Sequence, residues 1–166
     1  MAKNLRQVGL DFFETAQYKD VVQIPISQPP AAVFAAVADD PAGWGNWFPG
    51  FSKTGRYVTP APNSVGSQRE MTMRGMSLLE TVIAWDEPSH WAFYISRATM
   101  PGVRAMAEDY RLEPQEGGTL LTWTVALDMA PAAKPMAALM GKLGASTMRK
   151  AVAKLEIQLS ANSAPS

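Results

Sequence analysis

From Tyr18 to Ile26 the chain (YKDVVQIPI) is rich in β-forming residues and stops short of Pro29-Pro30. Those prolines suit a helix start, and from Ala31 to Asp39 the apolar Val33, Phe34 and Val37 share one face. A second short helix or turn is predicted over Asp40 to Phe48, carrying Trp44 and Trp47. Strand-like runs follow at 52–59, 66–73, 76–86, 90–99, 103–113 and 119–128. Turn chemistry separates them: Pro60 to Ser64, Arg74-Gly75, Glu87-Pro88-Ser89, Pro101-Gly102 and Pro114 to Gly118. Connections this short imply an antiparallel meander. The last element is a long helix from Ala132 to Ala161, with Met136, Met140, Leu143, Met148, Val152, Leu155 and Leu159 near helical spacing. Strand, small helices, meander and long amphipathic helix is an α+β order.

This pattern predicts one domain over 18–161, an N-terminal extension over 1–17 and a disordered tail over 162–166. Leu10, Phe12 and Phe13 suggest that the extension holds a short amphipathic piece that docks. The N-terminus has no apolar h-region of the ~7–15 residues a secretory signal needs, and no run approaches the ~18 apolar residues of a membrane span. A cytoplasmic protein is expected.

Hairpin register follows from the turns. A two-residue turn at Arg74-Gly75 sets Met73 opposite Met76, Met71 opposite Leu78, Arg69 opposite Glu80 and Ser67 opposite Val82. The alternate face carries Thr72, Glu70, Gln68, Ser77, Leu79 and Thr81, so the methionine face is the inner one. Four loop residues, Asp86 to Ser89, bring Trp91, Phe93 and Ile95 onto that face. A two-residue turn at Pro101-Gly102 aligns Arg97 with Met106, Ile95 with Glu108 and Phe93 with Tyr110. A turn at Gln115 to Gly118 aligns Leu112 with Leu121, Tyr110 with Trp123 and Glu108 with Val125. A slip of one residue would turn every later side chain to the other face.

One row of the inner face then reads Arg69, Glu80, Ile95, Glu108, Val125, with Arg97 a row away. Strands lie about 4.8 Å apart, so these charged groups converge inside an apolar wall. Burying them unpaired would cost several kcal/mol each, so pairing is expected. The cluster is a structural ion-pair network, or edge residues reaching solvent, or the anchor for the polar end of a ligand. Met71, Met73, Met76, Met106, Met136 and Met140 face inward as core filling or as a deformable lining. Trp44, Trp47, Phe48 and Phe51 either anchor the small helices on the sheet or wall the end of a cavity. Gly141 and Gly144 each lower the last helix's stability by about 1 kcal/mol, which fits close approach to the sheet or a flexible gate.

Composition narrows the chemistry. The 166 residues are 47% hydrophobic and 18% charged, with 15 Lys+Arg against 15 Asp+Glu. That balance argues against nucleic acid. Zero cysteines and one histidine exclude disulfides, thiolate nucleophiles and multi-ligand Cys/His metal sites. His90 follows a turn and is expected to be exposed, with no nucleophile placed to use it. No catalytic residue, metal or cofactor is predicted.

SQPPAAVFAAVAD at 27–39, WGNWFPGF at 44–51, VGSQREM at 65–71, LLETVIAWDEP at 79–88 and GGTLLTWTV at 117–125 occur in an order that resembles the START/Bet v 1-like (SRPBCC) superfamily, in its polyketide cyclase/dehydrase and lipid-transport branch. The resemblance implies a helix-grip fold, a curved seven-stranded antiparallel sheet around the C-terminal helix, with two short helices after the first strand and a hydrophobic cavity between sheet and helix. It implies no shared catalytic motif. The expected function is binding of a lipid-, isoprenoid- or polyketide-like molecule by a monomer or weak homodimer. The alternatives are a cyclase/aromatase-type enzyme using the same cavity, or a protein-interaction module. Candidate ligand contacts are the polar Arg69, Glu80, Arg97, Glu108 and Tyr110 with Met71, Met73, Phe93, Met106 and Trp123 from the sheet. Trp47 joins them from the small helices, and Met136, Met140 and Leu143 from the long helix.

Overall fold

A computed structural model describes residues 1–162, except for the side chains at 134 and 136–143. Met136, Met140 and Leu143 therefore lie outside the described side chains, and 163–166 of the expected tail outside the described residues. The chain starts with a two-residue strand, β1 (Lys3–Asn4), and a one-turn helix, α1 (Phe12–Thr15). β2 (Tyr18–Ile26) is followed by α2 (Pro30–Phe34), which widens into a π-helical turn at Ala35–Asp39, and by α3 (Trp44–Trp47). The meander is β3 (Arg56–Tyr57), β4 (Gln68–Met73), β5 (Met76–Asp86), β6 (His90–Ala98), β7 (Val103–Gln115) and β8 (Gly118–Met129). A short 3-10 turn leads into α4 (Lys134–Asn162).

The strands form one antiparallel sheet in the order β2-β8-β7-β6-β5-β4-β3, with β1 added against β6. This is a helix-grip fold with eight strands rather than the expected seven. Strand 52–59 contracts to β3, because the backbone bends at 52–55 and only an isolated bridge joins Phe51 to Met73. α4 crosses β2 and α3, and Met148, Val152 and Leu155 are buried against the sheet's inner face. Trp44, Trp47, Trp91, Trp123 and Tyr110 fill the space between.

Two hairpins have the expected register. Met73 faces Met76 and Arg69 faces Glu80 across Arg74-Gly75, where φ is 48° and 78°. Positive φ at both central residues is the geometry of a type I′ turn, whose twist matches the flanking strands. Leu112, Tyr110 and Glu108 likewise face Leu121, Trp123 and Val125. Gly118 permits that hairpin's tip to touch β2, since a Cβ there would lie 2.0 Å from the Ile26 carbonyl oxygen.

The β5–β6 hairpin departs from a regular ladder. Ile83 and Ser96 are extra residues in bulges, which keep Val82, Glu80, Phe93 and Ile95 inside. The Ser96 bulge reverses the alternation beyond Ile95, so Ala98 points into the core and Arg97 is exposed on the outer face. The expectation of Arg97 on the inner face is thereby corrected. The β6–β7 pairing is also two residues from its expected alignment, with Phe93 opposite Glu108 and Trp91 opposite Tyr110. A shift of two preserves the faces.

The N-terminal segment lies where this pairing stops. β6 and β7 separate beyond Tyr94 and Ala107, and β1 fills the split. Leu5 donates its N–H to the Ser96 carbonyl at 3.0 Å, and Arg6 donates to the Arg104 carbonyl at 2.8 Å. Leu5 belongs to the inner core. Val8, Phe12 and Phe13 instead cover the outer face, packing in one cluster with Ala84, Ala92, Ala105, Ala107 and Ala126. Small residues there let the aromatic rings approach the sheet.

Candidate functional site

The site grows from the end of α2. A π-helical turn leaves C-terminal carbonyls without partners inside the helix, at the negative end of its dipole. The Val37 carbonyl accepts from Trp44 Nε1 at 3.0 Å and from Arg69 Nη1 at 3.0 Å. The Ala38 carbonyl accepts from the Tyr57 hydroxyl at 2.7 Å. The helix end thus fastens both α3 and a charged side chain of β4.

Arg69 is 1% exposed and forms an ion pair with Glu80, itself 2% exposed. The guanidinium carbon lies 4.3 Å from the Trp91 ring centre and 5.1 Å from those of Trp44 and Phe93, within cation–π range. Burial raises the Glu80 carboxyl above its ordinary range, while Arg69 acts to lower it. Arg69 Nη2 and Trp91 Nε1 are buried with no hydrogen-bond partner among the described residues. Acceptors are scarce here, which makes each one present significant.

Glu108 stands beside this pair. Its Oε2 accepts from the Tyr110 hydroxyl at 2.5 Å and from Trp123 Nε1 at 3.0 Å. Burial pushes its carboxyl up to about 7, with Glu80 adding to the rise and the Tyr110 and Trp123 bonds opposing it. Burial, and then Glu108, hold the Tyr110 hydroxyl well above its ordinary range.

Glu80 and Glu108 both line an internal slot of about 30 Å³ whose other described walls are Trp44, Phe51, Met73, Leu78, Phe93, Ile95, Met100 and Met106. Such a volume admits about two water molecules.

Of the expected contacts, Glu80, Glu108, Met73, Phe93 and Met106 line the slot; Arg69, Tyr110 and Trp123 hold its carboxylates from behind. Trp47 and Met71 are buried core residues outside its described wall. Trp44 and Phe51 serve both proposed roles, as anchor of α3 and as wall. Arg97 is not in the site. Without it, the inner charges among the described residues are one cation and two carboxyl groups, not the balanced four that a regular register implies.

Sequence reasoning missed the Val37 carbonyl, because a π-helical turn has no signature in AAVAD. Met100, which lies between a predicted strand and a predicted turn, packs inward. His90 is also corrected: its side chain is 12% exposed, and Nε2 lies 2.6 Å from Oδ1 of buried Asp109. The ladder begins at His90 itself, which draws the ring onto the outer face beside Asp109 and Arg111. No helix among the described residues is long and apolar enough to cross a membrane.

Comparison with known proteins agrees with this geometry. The family model described as polyketide cyclase / dehydrase and lipid transport matches residues 19–159. Uncharacterized proteins Rv2574 of Mycobacterium tuberculosis and Mb2604 of Mycobacterium bovis are each 35% identical over 130 residues, spanning 78% of this chain and 77% of theirs. A START superfamily protein from Mycobacterium smegmatis superposes with a TM-score of 0.69 at 15% identity, covering 87% of this chain and 99% of that one. Major latex-like protein 151 of Panax ginseng gives 0.68 at 15% identity, covering 85% and 96%. At such identities the solved structures speak to fold alone.

Proposed function

The chain belongs to the polyketide cyclase/dehydrase and lipid-transport family of START/Bet v 1-like proteins, and on that footing we propose that it binds a small hydrophobic molecule, lipid-, isoprenoid- or polyketide-like, between the sheet and α4. One observation carries the reading: two carboxyl groups, Glu80 and Glu108, stand in the wall of an otherwise apolar internal slot. A few placed polar groups in apolar surroundings are what orient small ligands. At about 30 Å³ the slot takes a larger guest only when its neighbours move. Met73, Met100 and Met106 are suited to that, since unbranched thioether side chains repack readily.

The test is uptake of a hydrophobic fluorescent probe, read by its emission and by quenching of the protein's tryptophan fluorescence. Met106→Arg introduces a charge into the slot wall and is expected to abolish uptake while circular dichroism stays unchanged. Retained uptake by a folded variant would sink the assignment. Native mass spectrometry followed by solvent extraction would then identify a molecule that co-purifies.

Glu108 favours one second reading, a cyclase-type enzyme. A carboxyl pushed up to about 7, with a tyrosine hydroxyl 2.5 Å away, has the proton affinity that general acid–base catalysis near neutrality requires. Recovery of a chemically altered product after incubation with a polyketide-like chain would favour it over carriage.

A further inference from the structure

The slot's charges are unbalanced in a way that bears on what it would hold. Arg69 lies outside the slot's described wall: its Nε meets Glu80, its Nη1 donates to the Val37 carbonyl, and its Nη2, unpartnered among the described residues, is enclosed with the guanidinium by three aromatic rings. Arg97, the other cation of the β-sheet row, is outside. Glu108 has only neutral donors, Tyr110 and Trp123, and both bind the same oxygen, Oε2. Among the described residues Oε1 has no hydrogen-bond donor, although Glu108 is a wall of the slot. Ionised, these three groups sum to one negative charge.

Resting on the ligand-binding reading above, we infer that the site selects hydrophobic molecules whose polar end donates a hydrogen bond and carries no negative charge, an alcohol or an amine, and disfavours fatty carboxylates. A hydroxyl or ammonium head would donate to Glu108 Oε1, which no described residue does, and an ammonium would also offset the net negative charge of the described groups. A carboxylate head would bring a third acid beside Glu80 and Glu108, where like charges in an apolar site cannot all ionise. Burial pushes the Glu108 carboxyl up to about 7 and Glu80 adds to the rise, while Arg69 acts only weakly against it and forms no ion pair with it.

The experiment compares decanol, decylamine and decanoate as competitors of the fluorescent probe at about pH 8, where Glu108 and decanoate are ionised and the amine is protonated. The decisive quantity is the decylamine-to-decanoate ratio, since both heads are ions reluctant to leave water. Decylamine is expected to bind at least about tenfold more tightly than decanoate, the scale of one hydrogen bond to a charged group. Decanol should also bind more tightly than decanoate. In Glu108→Gln the amine preference should collapse; Glu108→Met gives the same readout should the amide variant not fold. Equal binding of all three, tightest binding of decanoate, or a preference that survives in the variant overturns this inference and leaves the binding reading standing. Failure of the probe and all three compounds to bind the wild-type protein overturns both.

Discussion

Replacing Glu108 by glutamine should change how stability depends on pH, by an amount the site's geometry sets. In the unfolded chain a glutamate carboxyl titrates near its ordinary 4.5; in the fold, burial beside Glu80 pushes Glu108 up to about 7. Between those values the folded state holds a proton that the unfolded state has released, so stability falls as pH rises through that window. At about 1.4 kcal/mol per pH unit the full interval is worth about 3 kcal/mol. Glutamine preserves an oxygen for the Tyr110 and Trp123 donors and has no charge to desolvate. Below about 4.5 the two proteins should therefore be close in stability, and above about 7 the variant should be the more stable by about 3 kcal/mol. Urea unfolding followed by tryptophan fluorescence at a series of pH values measures this directly. The comparison holds provided the denaturant slope is the same for both proteins. A stability difference that stays flat from acid to alkaline pH, or that favours the wild type as pH rises, would refute the assignment of Glu108 as a half-buried acid with no ion-pair partner among the described residues.

Glu80→Gln should destabilise by about 3–5 kcal/mol, because it leaves the Arg69 guanidinium buried without its counter-charge. Glu70→Gln, which loses only the exposed pair with Arg56, should cost under about 1 kcal/mol in the same urea titration. Phe12→Ala should cost about 3–5 kcal/mol, since Phe12 is 3% exposed and caps the alanine face of the sheet; a stability within error of wild type would show that the N-terminal segment does not dock in solution. Leu5→Asp, which puts a charge into the split between β6 and β7, should accelerate amide hydrogen exchange at residue 5 and Arg6, whose N–H groups donate to the Ser96 and Arg104 carbonyls, while Leu112 and Leu121 in the far hairpin keep their protection.

Local chemistry determined much of this protein before any long-range contact was considered. The order of elements, the hairpins at Arg74-Gly75 and at Gln115 to Gly118, and the facing of Arg69 with Glu80 were legible because a tight turn and alternating polarity specify register over a few residues. The methionine face was legible for the same reason, and with it most of the slot's sheet wall. Tertiary structure decided what happens where strands meet a segment distant in sequence. Residues 3–6 enter the split between β6 and β7, Ser96 bulges to accept their hydrogen bond, and Arg97 is turned from the core to solvent. The sequence Ile95-Ser96-Arg97 alternates well in either arrangement, so nothing local distinguishes them. Likewise the Val37 carbonyl became a ligand of Arg69 only because a helix end 32 residues earlier lies over β4. Alternation says which face a residue occupies; the insertion of a distant chain segment says whether the alternation continues. In this molecule that second decision removes one cation from the interior and leaves Glu108 without a charged partner among the described residues.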